Sequence, residues 1–437
     1  MKLKLLEKYN LIFLIFFVSI IFILVFNLLS LNTSPVEEDG FKKVYYADNI
    51  TATHKQVIDL FNQEYKGKIK VIPINLPFTK FTTNERKELL ARSLRSHNSR
   101  IDVFAIDQIW VSRFSKWAVN LDELINISIQ DSILPELLFT CYHEEQLKSI
   151  PLYVDLGVLY YRKDMLKKIP NYEQLSQNIK ESLTWEEFIN INQKYFSDQP
   201  AYVFQGRAYE GLICNLIEVM KSSPEMDNDQ INLEQLLEKR TEDAVSFFHN
   251  LIYKYEISPP KVTQFNEVQS YRYTLKNEVP FFRGWVSSIK DSLAFGEYYS
   301  EIDKLGFGSI PHFQGDSPKS AYGGWNLMIS KTSDDKKAAA TFLKFILSDR
   351  VQKIFYKKSA YLPVVKSLYG EGKIVDDYFY EIMKNHGVHR PKIENYTKYS
   401  DILTFYLNEA IIGNIKPEKA IQRARDEIDN HIKTTNK

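Results

Sequence analysis

The sequence predicts an α/β protein that follows a membrane-spanning helix, and three observations support this. Every position from residue 11 to residue 31 is uncharged, and a helix of that length measures about 31 Å, enough to cross a bilayer core. From residue 44 the chain alternates short apolar runs with amphipathic stretches, as in open α/β sheets. The remaining roughly 400 residues, with 14% aromatics in the whole chain, match the size and composition of two or more globular domains.

The charges around the apolar segment predict its orientation. Lysines dominate before it and three consecutive acids, residues 37–39, follow it, so residue 32 onward is expected outside the cytoplasm. The segment lacks the short apolar core and small-residue cut of a cleaved signal, which favours a retained anchor. No cysteine follows directly after the apolar run, since the first is Cys141, so no lipid attachment is expected. Residues 32–43 are polar and read as a linker that reaches about 40 Å when extended.

Composition excludes some partners for the part after the anchor. A formal net charge of +1 argues against nucleic acid. No second apolar run of membrane length occurs, so this part is expected to be soluble but tethered. Cys141 and Cys214 can pair in an oxidising compartment, but two isolated cysteines are more often small buried apolar residues.

The first region begins with a regular succession of elements. Its apolar periodicity predicts, in order, strand 44–47, helix 52–65, strand 68–76, helix 82–95 and strand 101–106. Asp107 follows the third strand. Because ligands of open α/β sheets bind at the carboxyl ends of strands, Asp107 is a candidate site residue by position. Alternatively, it only caps the helix that begins near Ile109.

A second region begins after Pro151. Residues 154–166 pass from a strand pattern into a helix, and Thr184 with Glu187 forms a predicted capping box. Trp185, at that helix start, is expected to be a packing residue. Periodicity further predicts helices near 210–220 and 232–255, a glycine-rich strand at 306–311 and one long helix over 335–355.

Seven segments, in this order, resemble the extracellular solute-binding proteins of ABC transporters, family 1, of the maltose and trehalose type: 101–114, 150–166, 183–188, 203–218, 279–289, 323–347 and 362–369. The resemblance covers about residues 44–435. It implies a two-lobed periplasmic binding protein fold of type II. Lobe I would comprise 44–152 plus 312–342 and lobe II 153–311 plus 343–437, with the chain crossing near 152–155, 310–313 and 342–348.

The chemistry of a sugar site can be argued from the residues themselves. A pyranose has an apolar face that stacks on aromatic rings and a rim of hydroxyls that needs fixed polar partners. Trp285 and Trp325 lie beside glycines, Gly284 for the first and Gly323 with Gly324 for the second, where backbone can approach a ligand. The resemblance implies that both stack on sugar rings; without it, burial in the core would be the default for tryptophan.

The resemblance also implies that four side chains bond sugar hydroxyls: Asp107, Tyr153, Asp155 and Glu210. Two have competing interpretations, since Asp155 can be a hinge residue that accepts from backbone amides, and Glu210 can be an acid favoured at a helix start. Trp110 is a weaker candidate, because a tryptophan on the apolar face of an amphipathic helix needs no binding role to account for it. Arg86 is weaker still, since it is expected among exposed charges.

One departure from the resemblance affects the choice of ligand. Related sequences often place an arginine after the long helix in L-P-T-R or L-P-V-R, whereas this chain has Leu362-Pro363-Val364-Val365. Val365 cannot donate a hydrogen bond, so one sugar unit should be held differently. Neither maltose nor trehalose itself is therefore predicted as the ligand.

The predicted function is capture of a di- or oligosaccharide by hinge closure and delivery to the permease subunits of an ABC transporter, by a monomer without cofactor or metal. A sugar-sensing subunit of a signalling receptor is the alternative. An enzyme is not expected, although paired carboxylates beside tryptophans also occur in glycosidases. His386 and His389 have i, i+3 spacing but no further ligand cluster, so they read as surface histidines.

Overall fold

The computed structural model describes residues 40–77, 80–81, 83–96, 100–220, 231–287, 298–375, 377–393 and 395–435. The predicted anchor over 11–31 and most of the predicted linker lie outside these residues. No helix within the described ranges combines the length and apolar character that a membrane span requires.

The described part alternates strands and helices. The strands are β1 Lys42–Asp48, β2 Ile69–Asn75, β3 Val103–Asp107, β4 Tyr142–His143, β5 Gln146–Leu147, β6 Ile150–Arg162, β7 Tyr202–Val203, β8 Phe281–Trp285, β9 Leu305–Gly308, β10 Ser320–Ile329 and β11 Gly387–Val388. The helices are α1 Ala52–Glu64, α2 Thr83–Arg95, α3 Val111–Phe114, α4 Ile127–Ser132, α5 Pro135–Leu138, α6 Lys163–Leu166, α7 Tyr172–Glu181, α8 Trp185–Tyr195, α9 Glu210–Val219, α10 Lys239–Tyr253, α11 Glu267–Asn277, α12 Tyr299–Ile302, α13 Lys336–Ile346, α14 Asp349–Ser359, α15 Asp377–His386, α16 Tyr396–Ile412 and α17 Pro417–Thr435.

Strand β6 connects two halves of one mixed sheet. The strand order is β2-β1-β3-β10-β6-β8-β7, with β11 on β10 and β9 on β6. In β6, residues 150–156 pair with β10, whereas residues 157–162 pair with β8 and β9. The first half of the sheet therefore ends and the second begins near Gly157, which places Asp155 at the junction.

Helices cover the two halves separately. Helix α1 buries Val57, Ile58 and Phe61, and α13 and α14 pack on it through Phe342 and Phe355. Helices α16 and α17 contact α9 and α10 of the other half. The lobe boundary at residue 342 stays a prediction, and this packing favours a third crossing later in the chain, after α14.

Most predicted elements of the first region are confirmed within a few residues. The capping box is confirmed too, because Thr184 Oγ1 accepts from the Glu187 amide and Glu187 Oε2 accepts from the Thr184 amide at 2.8 Å. The single helix expected over 335–355 is instead two helices, α13 and α14. Ser348 accounts for the break, since its extended backbone ends the first helix and its hydroxyl accepts from the Val351 amide to cap the second.

Candidate ligand-binding site

Strand pairing brings three of the predicted site residues into one row. Trp325 of β10 is directly opposite Asp107 of β3 and opposite Tyr153 of β6 on its other side. Residues directly opposite one another across a sheet have neighbouring side chains. All three side chains are half-buried. The register thus places an indole between a carboxylate and a phenol, although the three residues are far apart in sequence.

The indole of Trp325 is fixed by its neighbours. Trp110 meets it edge to face at 6.0 Å between ring centroids, and the guanidinium of Arg86 lies over the ring, 4.4 Å from its centroid. Gly324 has φ +123°, and a Cβ there would lie 2.5 Å from the carbonyl oxygen of Tyr153. Only glycine fits this position, which explains the close approach of β10 to β6.

The predicted exposure of Arg86 is wrong, because its side chain is buried and ion-paired with Asp48 at 3.2 Å. Asp48 also accepts from the Tyr46 hydroxyl at 2.5 Å and lies 3.4 Å from His54 Nε2. Burial alone would raise the pKa of Asp48, but the hydrogen bond and charge of His54, together with Arg86, outweigh burial and lower that pKa. The row is therefore backed by a charged, buried cluster.

Trp285 lies at the end of β8, in the other half of the sheet. Its ring covers Gly323, where a Cβ would lie 2.8 Å from the indole, and its Nε1 donates to Glu267 Oε1 at 3.3 Å. The guanidinium of Arg283 lies 3.9 Å from the ring centroid. Arg283 is held by Glu218 through two hydrogen bonds of 3.0 and 2.7 Å, and both side chains are 1% exposed.

Asp155 is buried at the junction of the halves and already has partners. Its carboxylate accepts from the amides of Leu156, at 3.0 Å, and Ser287, at 3.2 Å, and from the Ser287 hydroxyl. Burial raises the pKa of Asp155 to about 6, although these hydrogen bonds oppose the shift. The contacts correspond to the hinge interpretation that the sequence left open. A role in binding hydroxyls stays a prediction.

Glu210 is reached from Asp107 through a residue that the sequence did not single out. Arg390 Nη2 lies 2.9 Å from Asp107 Oδ1, and Arg390 Nη1 lies 3.0 Å from Glu210 Oε1. Glu210 also accepts from the hydroxyls of Tyr396, at 2.7 Å, and Ser400. Asp107 also accepts from the Ile109 amide at 3.1 Å, so the helix-cap interpretation is confirmed, and a role in binding a ligand stays a prediction. Burial raises the pKa of Glu210 above its usual range.

Two further residues beside the row, Tyr361 and Arg390, were not predicted from the sequence. Tyr361 stacks on Tyr153 with centroids 3.9 Å apart, and Arg390 comes from the short segment after β11. Neither lies in a motif with a recognisable spacing.

The predicted exposure of His389 is wrong. Its ring is buried against that of Tyr322, with ring centroids 4.1 Å apart, and burial lowers its pKa to about 4.

Other features do not compete with this site. A groove of about 880 Å³ lies on the outer side of α1 and β2, lined by residues such as Phe41, Lys55 and Lys70, and none of the predicted site residues lines it. Within the described ranges no cluster of three or more histidine, cysteine or acidic side chains is arranged to hold a metal ion. Cys141 and Cys214 are buried and are not disulfide-bonded.

Val365, at the position where related sequences often have an arginine, is buried.

The fold consists of two α/β halves joined by a shared sheet. A family model described as bacterial extracellular solute-binding protein matches residues 47–353. The chain therefore belongs to the bacterial extracellular solute-binding protein family, which confirms the resemblance and identifies it as an extracytoplasmic binding protein rather than an enzyme.

Individual relatives agree with this assignment. A probable ABC transporter-binding protein of Deinococcus radiodurans is 25% identical over 336 residues, covering 73% of this chain and 76% of that protein. Maltose-bound MalE3 of T. maritima has a TM-score of 0.74 at 24% identity, covering 89% of this chain and 99% of that one. A solute-binding protein of Thermotoga lettingae bound with α-D-tagatose has the same TM-score and coverage at 21% identity. These two structures show the two-lobed fold.

Proposed function

We propose that this protein captures a sugar between its two lobes and delivers it to the permease of an ABC transporter while tethered to the membrane by residues 11–31. The sugar would stack on Trp325 from one lobe and on Trp285 from the other, with Asp107, Tyr153 and Glu210 near its hydroxyls. Family membership supports the binding role. Relatives of the same fold that were solved with maltose or α-D-tagatose support a sugar as the ligand.

The observation that carries the proposal is the matched arrangement of two indoles that are both partly buried. Each has a guanidinium near its ring, Arg86 for Trp325 and Arg283 for Trp285, and each guanidinium is paired with a buried acid. Such contacts fix the ring orientation without covering the whole ring. Aromatic surfaces held rigid but partly exposed are suited to the apolar face of a pyranose.

Closure would follow from the geometry of β6. The strand pairs with β10 in one half and with β8 and β9 in the other, so a change of backbone angle near Asp155 moves one half relative to the other. A sugar that contacts both indoles stabilises only the closed arrangement, and its binding free energy shifts the population towards that state. The permease would then recognise the closed shape.

The test is a calorimetric titration of the purified full-length protein in detergent, after a thermal-shift screen against mono- and disaccharides, longer glucans, polyols and amino acids. We expect a carbohydrate to raise the melting temperature and to bind without chemical turnover. Trp117→Ala provides the matched control for Trp325→Ala, because Trp117 packs on Phe114 at 5.3 Å and lies outside the row. Stabilisation by amino acids alone, or unchanged sugar affinity in Trp325→Ala, would contradict the proposal.

A further inference from the structure

Arg390 connects a side chain at the end of a strand in the first half of the molecule with one on a helix of the second half. Asp107 ends β3, in the half formed by β1, β2 and β3. Glu210 begins α9, which packs on β10 and β6 and on helices α10 and α16, and whose Glu218 pairs with Arg283 of β8 in the second half. The Arg390 guanidinium contacts both carboxylates, in a forked arrangement with Asp107 at 2.9 and 3.5 Å and at 3.0 Å from Glu210.

The environment of this bridge makes its charge balance important. The side chain of Arg390 is 2% exposed, and those of Asp107 and Glu210 are 14% and 17% exposed. Burial alone would lower the pKa of Arg390, but the negative charges around it, led by Asp107, raise that pKa above its usual value and keep it charged. One cation thus lies between two acids in a region of low water access, where unpaired charges are strongly unfavourable.

We propose that Arg390 is a positioning residue that holds the two lobes together by neutralising Asp107 and Glu210 in the closed state. Opening separates the two acids, so each can be hydrated. In this structure both acids contact the same guanidinium nitrogen, since Nη1 lies within 3.5 Å of each, and we assign this arrangement to the closed state. Without the cation, closure would bring two like charges together.

This bridge has a consequence for the ligand, which rests on the proposed function. Asp107 and Glu210 are two of the acids predicted to bind sugar hydroxyls, and both have oxygens already bonded to Arg390. A bound hydroxyl would have to share the remaining acceptor capacity of these oxygens. Arg390 would therefore fix the positions of the acceptors and so help to select which hydroxyl pattern is bound.

The experiment measures lobe opening directly by single-molecule Förster resonance energy transfer between two dyes on the full-length protein. Gln56→Cys on α1 and Asn190→Cys on α8 place one exposed labelling site on each half. Both native cysteines are buried, so dye attachment is selective. Transfer efficiency is recorded without ligand and then during titration with the sugar that the screen identifies.

We expect Arg390→Gln to reduce the closed population without ligand and to weaken sugar affinity by about tenfold, because more of the binding energy is spent on closure. Adding Glu210→Gln to this variant should restore closure, since it removes one of the two facing charges. A purely structural role for Arg390 would not produce this rescue.

Arg162→Gln is the matched control. Arg162 is 2% exposed and is paired with Asp164 at 2.7 Å and Glu301 at 3.0 Å, but all three residues belong to the second half of the molecule. This variant should lower thermal stability and leave the transfer distribution unchanged. If Arg390→Gln does not fold, Asp107→Asn tests the same bridge, because it weakens only the contact with the first half and should also increase opening.

A folded Arg390→Gln protein with an unchanged transfer distribution would overturn the proposal, as would equal opening in Arg390→Gln and Arg162→Gln. The result is separable from the proposed function. If no sugar binds the unmodified protein but Arg390→Gln still opens the lobes, the bridge stands and the choice of ligand fails.

Discussion

The candidate site has two walls, one around Trp325 in the first half of the sheet and one around Trp285 in the second. The contacts that hold the indole differ between the two walls. In the first half, Trp325 is flanked by Asp107 and Tyr153 in strand register, and the Arg86 behind it meets Asp48 through one hydrogen bond of 3.2 Å. In the second half, Trp285 stands at the end of β8, and the Arg283 behind it is held by a fork of two hydrogen bonds.

This difference predicts that one wall contributes mainly to ligand affinity and the other mainly to stability. The first wall contributes a row of three polar and aromatic side chains and should dominate ligand affinity. The second wall contributes one indole, which lies on the buried ion pair of Arg283 and Glu218. This pair should make the larger contribution to the free energy of unfolding. Forked arginine–carboxylate pairs are stronger and more directional than single hydrogen bonds, so breaking each wall should affect different measurements.

The largest expected effect is on the second wall. Glu218→Gln leaves Arg283 charged and buried with a weakened partner, and we expect a loss of about 3–5 kcal/mol in the free energy of unfolding. Asp48→Asn should cost less, about 2–3 kcal/mol, because the 3.2 Å bond from Arg86 Nη2 to Asp48 is longer than either bond of the Arg283–Glu218 pair. Urea unfolding followed by circular dichroism measures both. Equal losses would remove the distinction between the walls.

A smaller effect is expected on ligand affinity. Trp325→Ala should weaken sugar binding by roughly 2–3 kcal/mol, since it removes a large stacking surface, and Trp285→Ala by about half of that. Isothermal titration calorimetry of the two variants gives the ratio directly. A larger loss in Trp285→Ala would mean that the second wall, not the row, holds the ligand.

The junction between the walls should respond to pH. The pKa of Asp155 is raised to about 6, so the folded state binds this proton more tightly than the unfolded state does. The stabilisation is present below about pH 4 and is lost as pH rises to about 6, a change on the order of 2–3 kcal/mol. Comparison with Asp155→Asn by thermal melting isolates this contribution from other groups. Parallel pH profiles would show that the Asp155 pKa is not raised.

The smallest expected effect concerns the cysteines, one in each predicted lobe. Cys141 and Cys214 are buried and unpaired with each other, and burial raises the pKa of each thiol to about 12. A reducing agent should therefore change the melting temperature by less than about 1 °C, since no disulfide constrains the unfolded chain. A marked decrease on reduction would reveal a bond between the two sulfur atoms.

Sequence periodicity was sufficient for the local elements of the first region and for the Thr184 capping box, because both depend on neighbouring residues. It could not predict the row, since the alignment of Asp107, Trp325 and Tyr153 depends on pairing between distant strands. It failed for Arg86, whose burial depends on the acid at position 48. Arg390 lies outside any periodic pattern, so only the tertiary structure reveals that it joins two predicted acids.

The most direct test of the central claim is a crystal structure of the protein with the carbohydrate that binds most tightly in the screen. We predict a sugar ring within about 4 Å of the Trp325 indole, with hydroxyls near Asp107 and Tyr153 and the second lobe closed over it through Trp285. A carbohydrate bound instead in the outer groove beside Phe41 and Lys70, with both indoles away from it, would contradict the account.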